Sequence, residues 1–299
     1  MAPPRAQLLL GGAKLTDWIL EGGPATRRAP LLNARLRWNA FWFDRNLAFN
    51  NTRLNVAELP GDPVFIVGMW RTGSSLLHTR LCEQAQWSTP LTWQCFNPSS
   101  LLLGSPSRER SVRRPMDEGV ITTFSPQEDE FASLLLGEDS LYRIFIDPRR
   151  ADTQSALLER WLQPAPGKAA LTLRWDDFLR GVLTLAPGRL LLKSPNHTFR
   201  LPWLAARFPN ARFIWLTRKS EGLIESNYKM WLAMANSYAL WDTDHSAIDR
   251  MIRKAAKIHD DVADWARGAL AGRIEWLRFE DIVRDPANVA QRLMTVLAS

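Results

Sequence analysis

The sequence predicts an α/β fold in which a mostly parallel sheet lies between layers of helices. Two observations lead to this prediction. Short apolar runs, typical of buried parallel strands, alternate with helical patterns from about residue 60 to the end of the 299-residue chain. The first of these runs is followed by a glycine-spaced loop and then by a helical pattern, which is the layout of a phosphate-binding loop. The predicted class is therefore a P-loop-like three-layer fold with additional helical insertions.

The chain before this fold, residues 1–60, is predicted to be a helical segment packed on the domain that residues 61–299 form. Residues 31–54 are rich in aromatic side chains and arginine, and include Trp38 and Trp42. A helix of this composition could lie on a membrane surface. Packing against its own domain is the commoner role of such side chains, and we favour that interpretation.

The strand Val64–Val67 opens the α/β pattern with a continuous apolar run. Gly68 ends this run, and Gly73 follows five residues later, directly before Ser74 and Ser75. Glycines at this spacing let backbone N–H groups close around an anion, and the dipole of the following helix adds to the attraction. An ordinary strand–helix turn with a serine cap is the alternative interpretation.

The loop differs in one respect from a nucleoside-triphosphate loop, which carries a lysine directly after its second glycine. Ser74 occupies that position, and Arg71 is the only cation between the two glycines. The pattern therefore argues against an ordinary ATPase or GTPase. A planar, permanently charged guanidinium suits a terminal anionic group with several oxygen atoms.

Residues 97–185 are predicted to form a helical insertion on the substrate side of the fold. The insertion begins with a proline- and arginine-rich passage, predicted to be a solvated loop, whose basic residues are Arg108, Arg110, Arg113 and Arg114. A helix then opens in Ser125–Phe131, with Pro126 in its first turn and acidic residues near its positive end. Two further helices are predicted over residues 154–162 and 171–185.

Three more strands complete the predicted sheet, at residues 190–192, 212–216 and 274–277. Lys193 follows the first of them, and Arg218 follows the second. The carboxyl ends of parallel strands share one edge of a sheet. We therefore expect the phosphate loop, Lys193 and Arg218 to converge on one crevice.

The remaining predicted helices connect these strands. One runs to Phe208 after the Lys193 turn, and another runs from Glu221 to about Met234 with Ser220 as its cap. A last helix over residues 287–297 closes the chain.

Composition narrows the function classes. The net charge is +7 and the sequence pI is about 9.8, but the basic residues are scattered, so we expect an anionic small ligand and no nucleic acid. The two cysteines, Cys82 and Cys95, and the four histidines show no disulfide-scaffold or metal-ligand spacing, and we expect no metal. The apolar run Leu8–Leu10 is too short for a signal peptide, and no stretch approaches the ~18 residues of a membrane span. A cytoplasmic protein is expected.

Several segments, in their order and spacing, resemble the sulfotransferases that use 3′-phosphoadenosine 5′-phosphosulfate (PAPS), and within them a bacterial-type group. The resemblance covers the chain from about residue 60 to its end. It rests on residues 65–78, 114–116, 125–131, 191–197, 208–213 and 278–281, and on Arg218 with Ser226.

The resemblance implies the transfer of a sulfuryl group from PAPS to a hydroxyl or amine of an acceptor, by in-line displacement without a metal. It implies that Arg218 and Ser226 hold the 3′-phosphate of PAPS. Arg71 and Lys193 would stabilise the negative charge that develops on the leaving oxygen. The 5′-phosphosulfate would be held by the loop residues Arg71, Thr72, Gly73, Ser74 and Ser75.

A base must accept the proton of the attacking hydroxyl. We rank Glu130 first and Glu128 second, because helical periodicity places both beside the buried apolar stripe of their helix while Asp129 points away. Acids that merely stabilise a solvated helix start are the alternative interpretation. The other candidates are two histidines, one within the loop helix and one after the Lys193 turn: His78 and His197.

Other interpretations remain. Gln94 stands where some relatives have Glu, and the chain stops at Ser299 inside a predicted helix, whereas relatives commonly continue with a segment that covers the nucleotide. A truncated chain or a weakened site would follow. An ATP-dependent kinase-like enzyme and a non-catalytic nucleotide- or anion-binding relative are the alternatives. We expect the acceptor to be a small-molecule or lipid-like hydroxyl compound, because 14 Trp residues favour an apolar or aromatic ligand.

Overall fold

The computed structural model describes residues 11–23, 29–85, 87–117, 119–163, 171–219 and 222–298, and the structural statements below concern those residues. The strands of its main sheet are β1 (Val64–Gly68), β4 (Leu191–Lys193), β5 (Arg212–Thr217) and β6 (Ile274–Arg278). They are parallel and lie in the order β4–β1–β5–β6. Two further strands, β2 (Ser111–Arg113) and β3 (Val120–Thr122), form a separate antiparallel ribbon.

The sheet is built around β1, which pairs with β4 on one side and with β5 on the other. All five residues of β1 are buried, as expected for an apolar run in a parallel sheet. In the register of these strands Ile66 lies between Lys193 and Ile214. Lys193 is therefore held at the same edge of the sheet as the loop that follows β1.

Alternate side chains of β1 face two different cores, and this gives the fold its three layers. Phe65 and Val67 belong to the larger core. Val64 and Ile66 belong to the smaller core, together with apolar residues of the loop helix and of the C-terminal helices. The predicted α/β class with a parallel sheet between helices is confirmed.

Helices cover both faces of the sheet and make up most of the insertion between β1 and β4. In chain order they are α1 (Ala13–Glu21), α2 (Ala29–Asn51), α3 (Ser74–Gln84), α4 (Thr92–Phe96), α5 (Asp129–Leu136), α6 (Ala151–Leu162), α7 (Leu173–Leu185), α8 (Asn196–Phe199), α9 (Leu201–Arg207), α10 (Leu223–Tyr238), α11 (His245–Ala269), α12 (Phe279–Arg284) and α13 (Pro286–Ala298). Short 3-10 helices lie at Leu141–Phe145 and Pro148–Arg150. In the described ranges no helix is both long and apolar enough to cross a membrane.

The N-terminal helices α1 and α2 pack on the larger core. Leu15 of α1 and the α2 residues Leu36, Phe43 and Leu47 are buried in the same cluster as Phe65 of the sheet. The boundary near residue 60 stays a prediction.

The start of α5 differs from the prediction. The helix begins at Asp129, after an extended Glu128, whereas Pro126 forms a bridge with Leu91 and lies outside the helix. Because Pro126 does not open the helix, Glu128, Asp129 and Glu130 lie nearer the start of the helix than predicted.

The ribbon of β2 and β3 and the long helix α11 are among the elements that were not predicted. The passage around Arg113 was predicted to be a solvated loop, but it forms the ribbon of β2 and β3, whose strands pair from Ser111 with Thr122 to Arg113 with Val120. No helix was predicted over α11, although its buried residues recur at helical spacing and the Asp244 side chain accepts a hydrogen bond from the backbone N–H of Ala247 at 2.9 Å.

The helices that follow β4 and β5 also differ from their predicted bounds. The helix predicted to reach Phe208 is interrupted at Arg200 and forms α8 and α9. α10 extends to Tyr238, beyond the predicted end at Met234. The predicted cap Ser220 and start Glu221 lie outside the described residues.

Candidate functional site

The loop between β1 and α3 has two positions that only glycine can occupy. Gly68 has a φ of 135°, and a Cβ atom there would lie 2.5 Å from the carbonyl oxygen of Leu216. Gly73 has a φ of 84°, and its Cβ would lie 2.7 Å from the ring of Phe279. Both glycines are therefore required for the backbone to fold into a tight loop that ends at the N-terminus of α3.

Arg71 lies at the centre of this loop in a left-handed conformation, with a φ of 68°. Such a backbone costs a non-glycine residue about 1–3 kcal/mol and is found mainly at functional sites. Its Nε atom donates to the hydroxyl of Ser226 at 3.3 Å, and the guanidinium of Arg218 donates to the carbonyl oxygen of Arg71 at 2.8 Å. The structure thus brings together three predicted site residues, of which Ser226 is 155 positions from Arg71 in the chain.

Arg218 is further positioned by Phe279, a residue that follows β6. The guanidinium carbon of Arg218 lies 4.5 Å from the centre of the Phe279 ring, which orients a cation through the ring face. The same ring limits the space above Gly73. Phe279 therefore couples the position of Arg218 to the shape of the loop.

The hydroxyl residues of the loop have different tasks. Ser74 and Ser75 lie in the first turn of α3 and line the crevice, where the first N–H groups of a helix have no partner within the helix. Thr72 is buried, and its hydroxyl donates to the carbonyl oxygen of Met69 at 2.7 Å. Thr72 therefore holds the loop in shape, whereas Ser74 and Ser75 remain available to an anion.

Lys193 is buried at the back of the crevice, with 2% of its surface exposed. Its Nζ atom lies 2.6 Å from Oε1 of Glu128 and 3.3 Å from the hydroxyl of Ser75. The other carboxylate oxygen of Glu128 accepts a hydrogen bond from the hydroxyl of Tyr142. One carboxylate, one ammonium group and one phenol are thus joined next to the phosphate loop.

A cavity of about 400 Å³ extends from the loop into the insertion. Its lining includes the charged residues Arg71, Arg218 and Glu128. It also includes the apolar residues Phe96, Phe131, Phe145, Met230 and Met234. The arrangement can hold an anion beside the arginines and an apolar molecule beside the aromatic rings. Glu128 is joined to both groups, through Lys193 to Ser75 and through Tyr142 to the rings of Phe131 and Phe145.

Glu130 does not lie in this cavity. It is completely buried, and both its oxygens pair with the guanidinium of Arg200, one of them at 3.1 Å. The Arg200 guanidinium lies 4.0 Å from the centre of the Trp161 ring. The prediction that Glu130 faces a cleft was wrong, because the side chains in the first turn of α5 are buried in the core.

The prediction that Asp129 points away from the core was also wrong. Asp129 is fully buried, accepts a hydrogen bond from Trp175 Nε1 at 2.7 Å and contacts His197 Nε2 at 2.9 Å. Burial tends to raise the pKa of Asp129, but the nearby His197, the hydrogen bonds and Arg200 outweigh it and lower the pKa below its ordinary value. His197 therefore belongs to a buried network behind the crevice.

His78 is likewise sealed in the interior. Its Nε2 atom lies 2.7 Å from the Thr89 hydroxyl, which donates onward to the carbonyl oxygen of Leu191 at 2.8 Å. Nε2 must therefore carry the proton and donate to Thr89. Burial, reinforced by the charge of Lys193, lowers the pKa of His78 to about 3, so the ring is neutral at ordinary pH.

Sequence reasoning missed three residues that shape the site: Asp117, Tyr142 and Phe279. Asp117, in the turn between β2 and β3, accepts hydrogen bonds from Arg71 at 2.9 Å and from Arg114. Burial tends to raise the pKa of Asp117, but the hydrogen bond from Arg71 and the charges of the two arginines hold the pKa below its ordinary value. The ribbon is thereby joined to the phosphate loop.

Gln94, singled out because some relatives carry Glu at this position, has a structural role. It is buried, and its side-chain oxygen accepts a hydrogen bond from the backbone N–H of Leu91 at 2.8 Å. This contact fixes the start of α4.

Comparison with known proteins identifies related sequences. A model of the sulfotransferase family matches residues 63–298. Similar curated proteins include the omega-hydroxy-beta-dihydromenaquinone-9 sulfotransferase Stf3 of Mycobacterium bovis and that of Mycobacterium tuberculosis, each 29% identical over 238 residues. These matches cover 77% of this chain and 61% of each relative, so the chain spans about three fifths of the length of those curated relatives.

Solved structures share the fold. The sulfotransferase STF9 of Mycobacterium avium superposes with a TM-score of 0.69 at 19% identity, over 97% of this chain and 84% of that one. The sulfotransferase STF1 of Mycobacterium tuberculosis gives a TM-score of 0.63 at 15% identity, over 95% of this chain and 81% of that one. At these identities the likeness concerns the fold alone.

Proposed function

The chain belongs to the sulfotransferase family, as its motifs predicted, and we propose that it transfers a sulfuryl group from PAPS to a hydroxyl or amine group of an apolar acceptor. The observation that carries the proposal is the convergence of Arg71, Arg218 and Ser226 beside the N-terminus of α3. Two guanidinium groups, a helix N-terminus and serine hydroxyls form a donor set for an anion with two separate phosphate groups.

The donor set fits PAPS better than ATP. Arg71 and the residues Ser74 and Ser75 would bind the 5′-phosphosulfate, and Arg218 with Ser226 would bind the 3′-phosphate. The loop has Ser74 where a triphosphate loop has its lysine. PAPS, when bound, supplies a sulfuryl group whose bridging oxygen leaves with negative charge.

Lys193 would stabilise that leaving oxygen together with Arg71. Its ammonium group is buried and lies 3.3 Å from Ser75, a residue of the anion loop. A cation held in a site of low polarity stabilises developing charge more strongly than it would in water. Lys193 is therefore proposed to act mainly in the transition state.

Glu128 replaces Glu130 as the proposed base. It lines the cavity, whereas Glu130 is sealed in its pair with Arg200. Lys193 and Tyr142 hold the Glu128 carboxylate in place. The acceptor oxygen would give its proton to Glu128 as it forms the new bond to sulfur, and the old sulfur–oxygen bond of the donor would break.

The acceptor is proposed to be a lipid-like hydroxyl compound. The curated relatives are named for a menaquinone derivative that carries an ω-hydroxyl group. In this chain the apolar residues that line the cavity, with Phe96, Phe131 and Phe145, would hold a comparable apolar body. The hydroxyl would then lie near Glu128.

A transfer assay with radiolabelled PAPS tests this proposal. The full chain is incubated with a series of primary alcohols of increasing length, and the products are separated by thin-layer chromatography. We expect labelled sulfate esters whose yield rises with chain length, and no transfer of phosphate from γ-labelled ATP. Transfer from ATP would show a kinase instead, and binding of adenosine 3′,5′-bisphosphate without any transfer would indicate a non-catalytic relative.

A further inference from the structure

Helix α2 has apolar side chains on two opposite faces. At about 100° per residue, Leu36, Ala40, Phe43 and Leu47 fall on one side, and these residues are buried. The opposite side carries four large apolar residues that remain in solvent: Leu31 at 76% exposure, Trp38 at 64%, Trp42 at 43% and Phe49 at 54%. Phe41 borders them at 57%. We call these five residues the outer face of α2.

Three of the five residues, Trp38, Phe41 and Trp42, form a contiguous cluster of rings within the outer face. Among the described residues twelve large apolar side chains are exposed, and five of them belong to this one helix. Trp42 contacts Trp38 and Phe41 edge to face, with ring centres 5.8 Å and 5.4 Å apart. Isolated exposed apolar residues need no explanation, but a contiguous patch of this kind marks an interaction surface.

The surroundings of the outer face are basic. Residues 29–54 contain four arginines, at positions 35, 37, 45 and 53, and one acid, Asp44. Arg37 lies 3.9 Å from the exposed Asp17 of α1, which leaves three arginines of this segment without such an acidic partner among the described residues. Asp44 is directed towards the protein, since it accepts a hydrogen bond from the backbone N–H of Ala13 and lies 3.5 Å from Arg174. Two of the arginines lie over the exposed rings, Arg45 over Trp42 and Arg53 over Phe49.

Exposed aromatic rings flanked by arginines match the chemistry of one partner, the surface of a membrane. Tryptophan and phenylalanine rings favour the boundary between lipid headgroups and acyl chains, and arginines beside them attract anionic headgroups. We propose that the outer face of α2 binds the surface of a membrane that contains anionic lipids. A second copy of the chain fits less well, because a two-fold contact through this face would place two patches of the same positive charge against each other.

The outer face lies beside a cavity that adjoins the candidate site. Trp42 also lines a cavity of about 550 Å³, whose wall includes Trp93, Phe96, Arg108 and Arg110. Phe96 lines the 400 Å³ cavity of the candidate site as well. The two cavities therefore share Phe96 as a lining residue, and membrane binding through α2 would place the 550 Å³ cavity, which adjoins the candidate site at Phe96, at the bilayer. This second step rests on the proposed function, whereas the membrane contact does not.

Co-sedimentation of the full chain with vesicles tests the contact without donor or acceptor. We expect binding to phosphatidylcholine vesicles that contain phosphatidylglycerol, weaker binding to phosphatidylcholine alone, and weakening by salt. The combined variant Trp38→Ser, Trp42→Ser and Phe49→Ser should bind about tenfold or more weakly. Arg35→Gln with Arg45→Gln should lose roughly fivefold per arginine. Trp265→Ser on α11, also an exposed tryptophan, is the matched control and should bind like the parent.

Three results would overturn the proposal. The first is a parent chain that does not bind vesicles containing anionic lipid. The second is an outer-face variant that binds as tightly as Trp265→Ser. The third, from light scattering, is a dimeric parent whose outer-face variant is monomeric, because the face would then join two copies. Thermal unfolding of each variant confirms that these exposed substitutions leave the fold intact.

Transfer assays then separate this surface from the chemistry. The outer-face variant should lose transfer to a long-chain alcohol carried in anionic vesicles while it retains transfer to a short, water-soluble alcohol. Equal loss with both alcohols would refute the delivery step. A parent that binds vesicles but transfers to neither alcohol would refute the proposed function and leave the membrane contact standing.

Discussion

Two groups of polar residues lie side by side near the loop, and they differ in what surrounds them. Glu128 and Tyr142 line the cavity, and Glu128 pairs with the buried Lys193. Glu130 with Arg200, Asp129 with His197, and His78 are sealed behind it. Glu128 and Glu130 are two positions apart and each pairs with a cation, so chemistry of the side chain does not distinguish them. Access to the cavity does, and we expect open groups to control turnover and sealed groups to control stability.

The largest expected effect is on the open carboxylate. Glu128→Gln should reduce turnover by roughly 10²–10⁴ if Glu128 accepts the acceptor's proton. Affinity for adenosine 3′,5′-bisphosphate, measured by calorimetry, should change little because the loop is untouched. Full turnover in Glu128→Gln would show that the carboxylate only positions Lys193.

The sealed carboxylate should respond differently. Glu130→Gln leaves the Arg200 cation buried without its charged partner, which costs about 3–5 kcal/mol of unfolding free energy. Urea unfolding followed by circular dichroism measures this loss. At urea concentrations below the unfolding transition, the turnover of the folded variant should stay near that of the parent. A stable Glu130→Gln protein with greatly reduced turnover would reverse the assignment of the two carboxylates.

Lys193, the buried partner of Glu128, tests whether a cation stabilises the leaving oxygen. Lys193→Ala should lower turnover by about 10²–10³, the size found when one donor to a developing charge is removed. The Michaelis constant for PAPS should rise less, because the contact strengthens only as the leaving oxygen charges. A raised Michaelis constant with unchanged turnover would assign Lys193 to ground-state binding. Trp265→Ala serves as a control for nonspecific effects.

At the anion end, Arg71→Ala should weaken binding of adenosine 3′,5′-bisphosphate by ~10- to 100-fold. The reason is the loss of a charge-assisted contact worth about 1.5–3 kcal/mol. Calorimetric titration gives the affinity directly. Arg278→Ala is a suitable control, because Arg278 is exposed and pairs with Asp281 on the surface. An affinity equal to that of the parent would place Arg71 outside the binding site.

The smallest effect is a pH dependence from His78. Its pKa is lowered to about 3 in the folded chain by burial and the charge of Lys193, whereas the ordinary value is about 6.5. The unfolded chain therefore binds the proton more readily between these values, and stability falls as pH falls through this window. Between pH 7.5 and pH 5 we expect His78 to account for a loss of about 2 kcal/mol.

The variant His78→Gln isolates this contribution, since other groups titrate equally in both proteins. Unfolding free energies of parent and variant, measured at the two pH values, should show a smaller acid loss in the variant. The same pH dependence in both proteins would mean that His78 is accessible to water and does not belong to the sealed group.

The sequence allowed prediction of those features that depend on local pattern and on the direction of parallel strands. The loop glycines, the strands and the meeting of the loop with Arg218 follow from apolar runs, fixed spacings and one shared sheet edge. Ser226 was identified through the resemblance to the sulfotransferases. The α11 pattern was also present: Ile248, Ile252 and further buried residues recur at helical spacing after the cap Asp244. That helix was predictable and was overlooked.

The rest depended on contacts between distant parts of the chain. Asp117 meets Arg71 across 46 positions, and Glu130 meets Arg200 across 70. Helical periodicity alone could not show that α5 starts at Asp129 or that its first turn is buried. The distinction between Glu128 and Glu130 therefore required the tertiary structure, because it depends on which neighbours close around each carboxylate.

The central claim is that the site recognises a nucleotide with a 3′-phosphate, and a titration cycle tests it most directly. Adenosine 3′,5′-bisphosphate and adenosine 5′-phosphate are titrated into the parent and into Arg218→Ala. We expect the parent to prefer the bisphosphate by ~10- to 100-fold and Arg218→Ala to lose most of this preference. An equal preference in both proteins, or none in the parent, would contradict the claim.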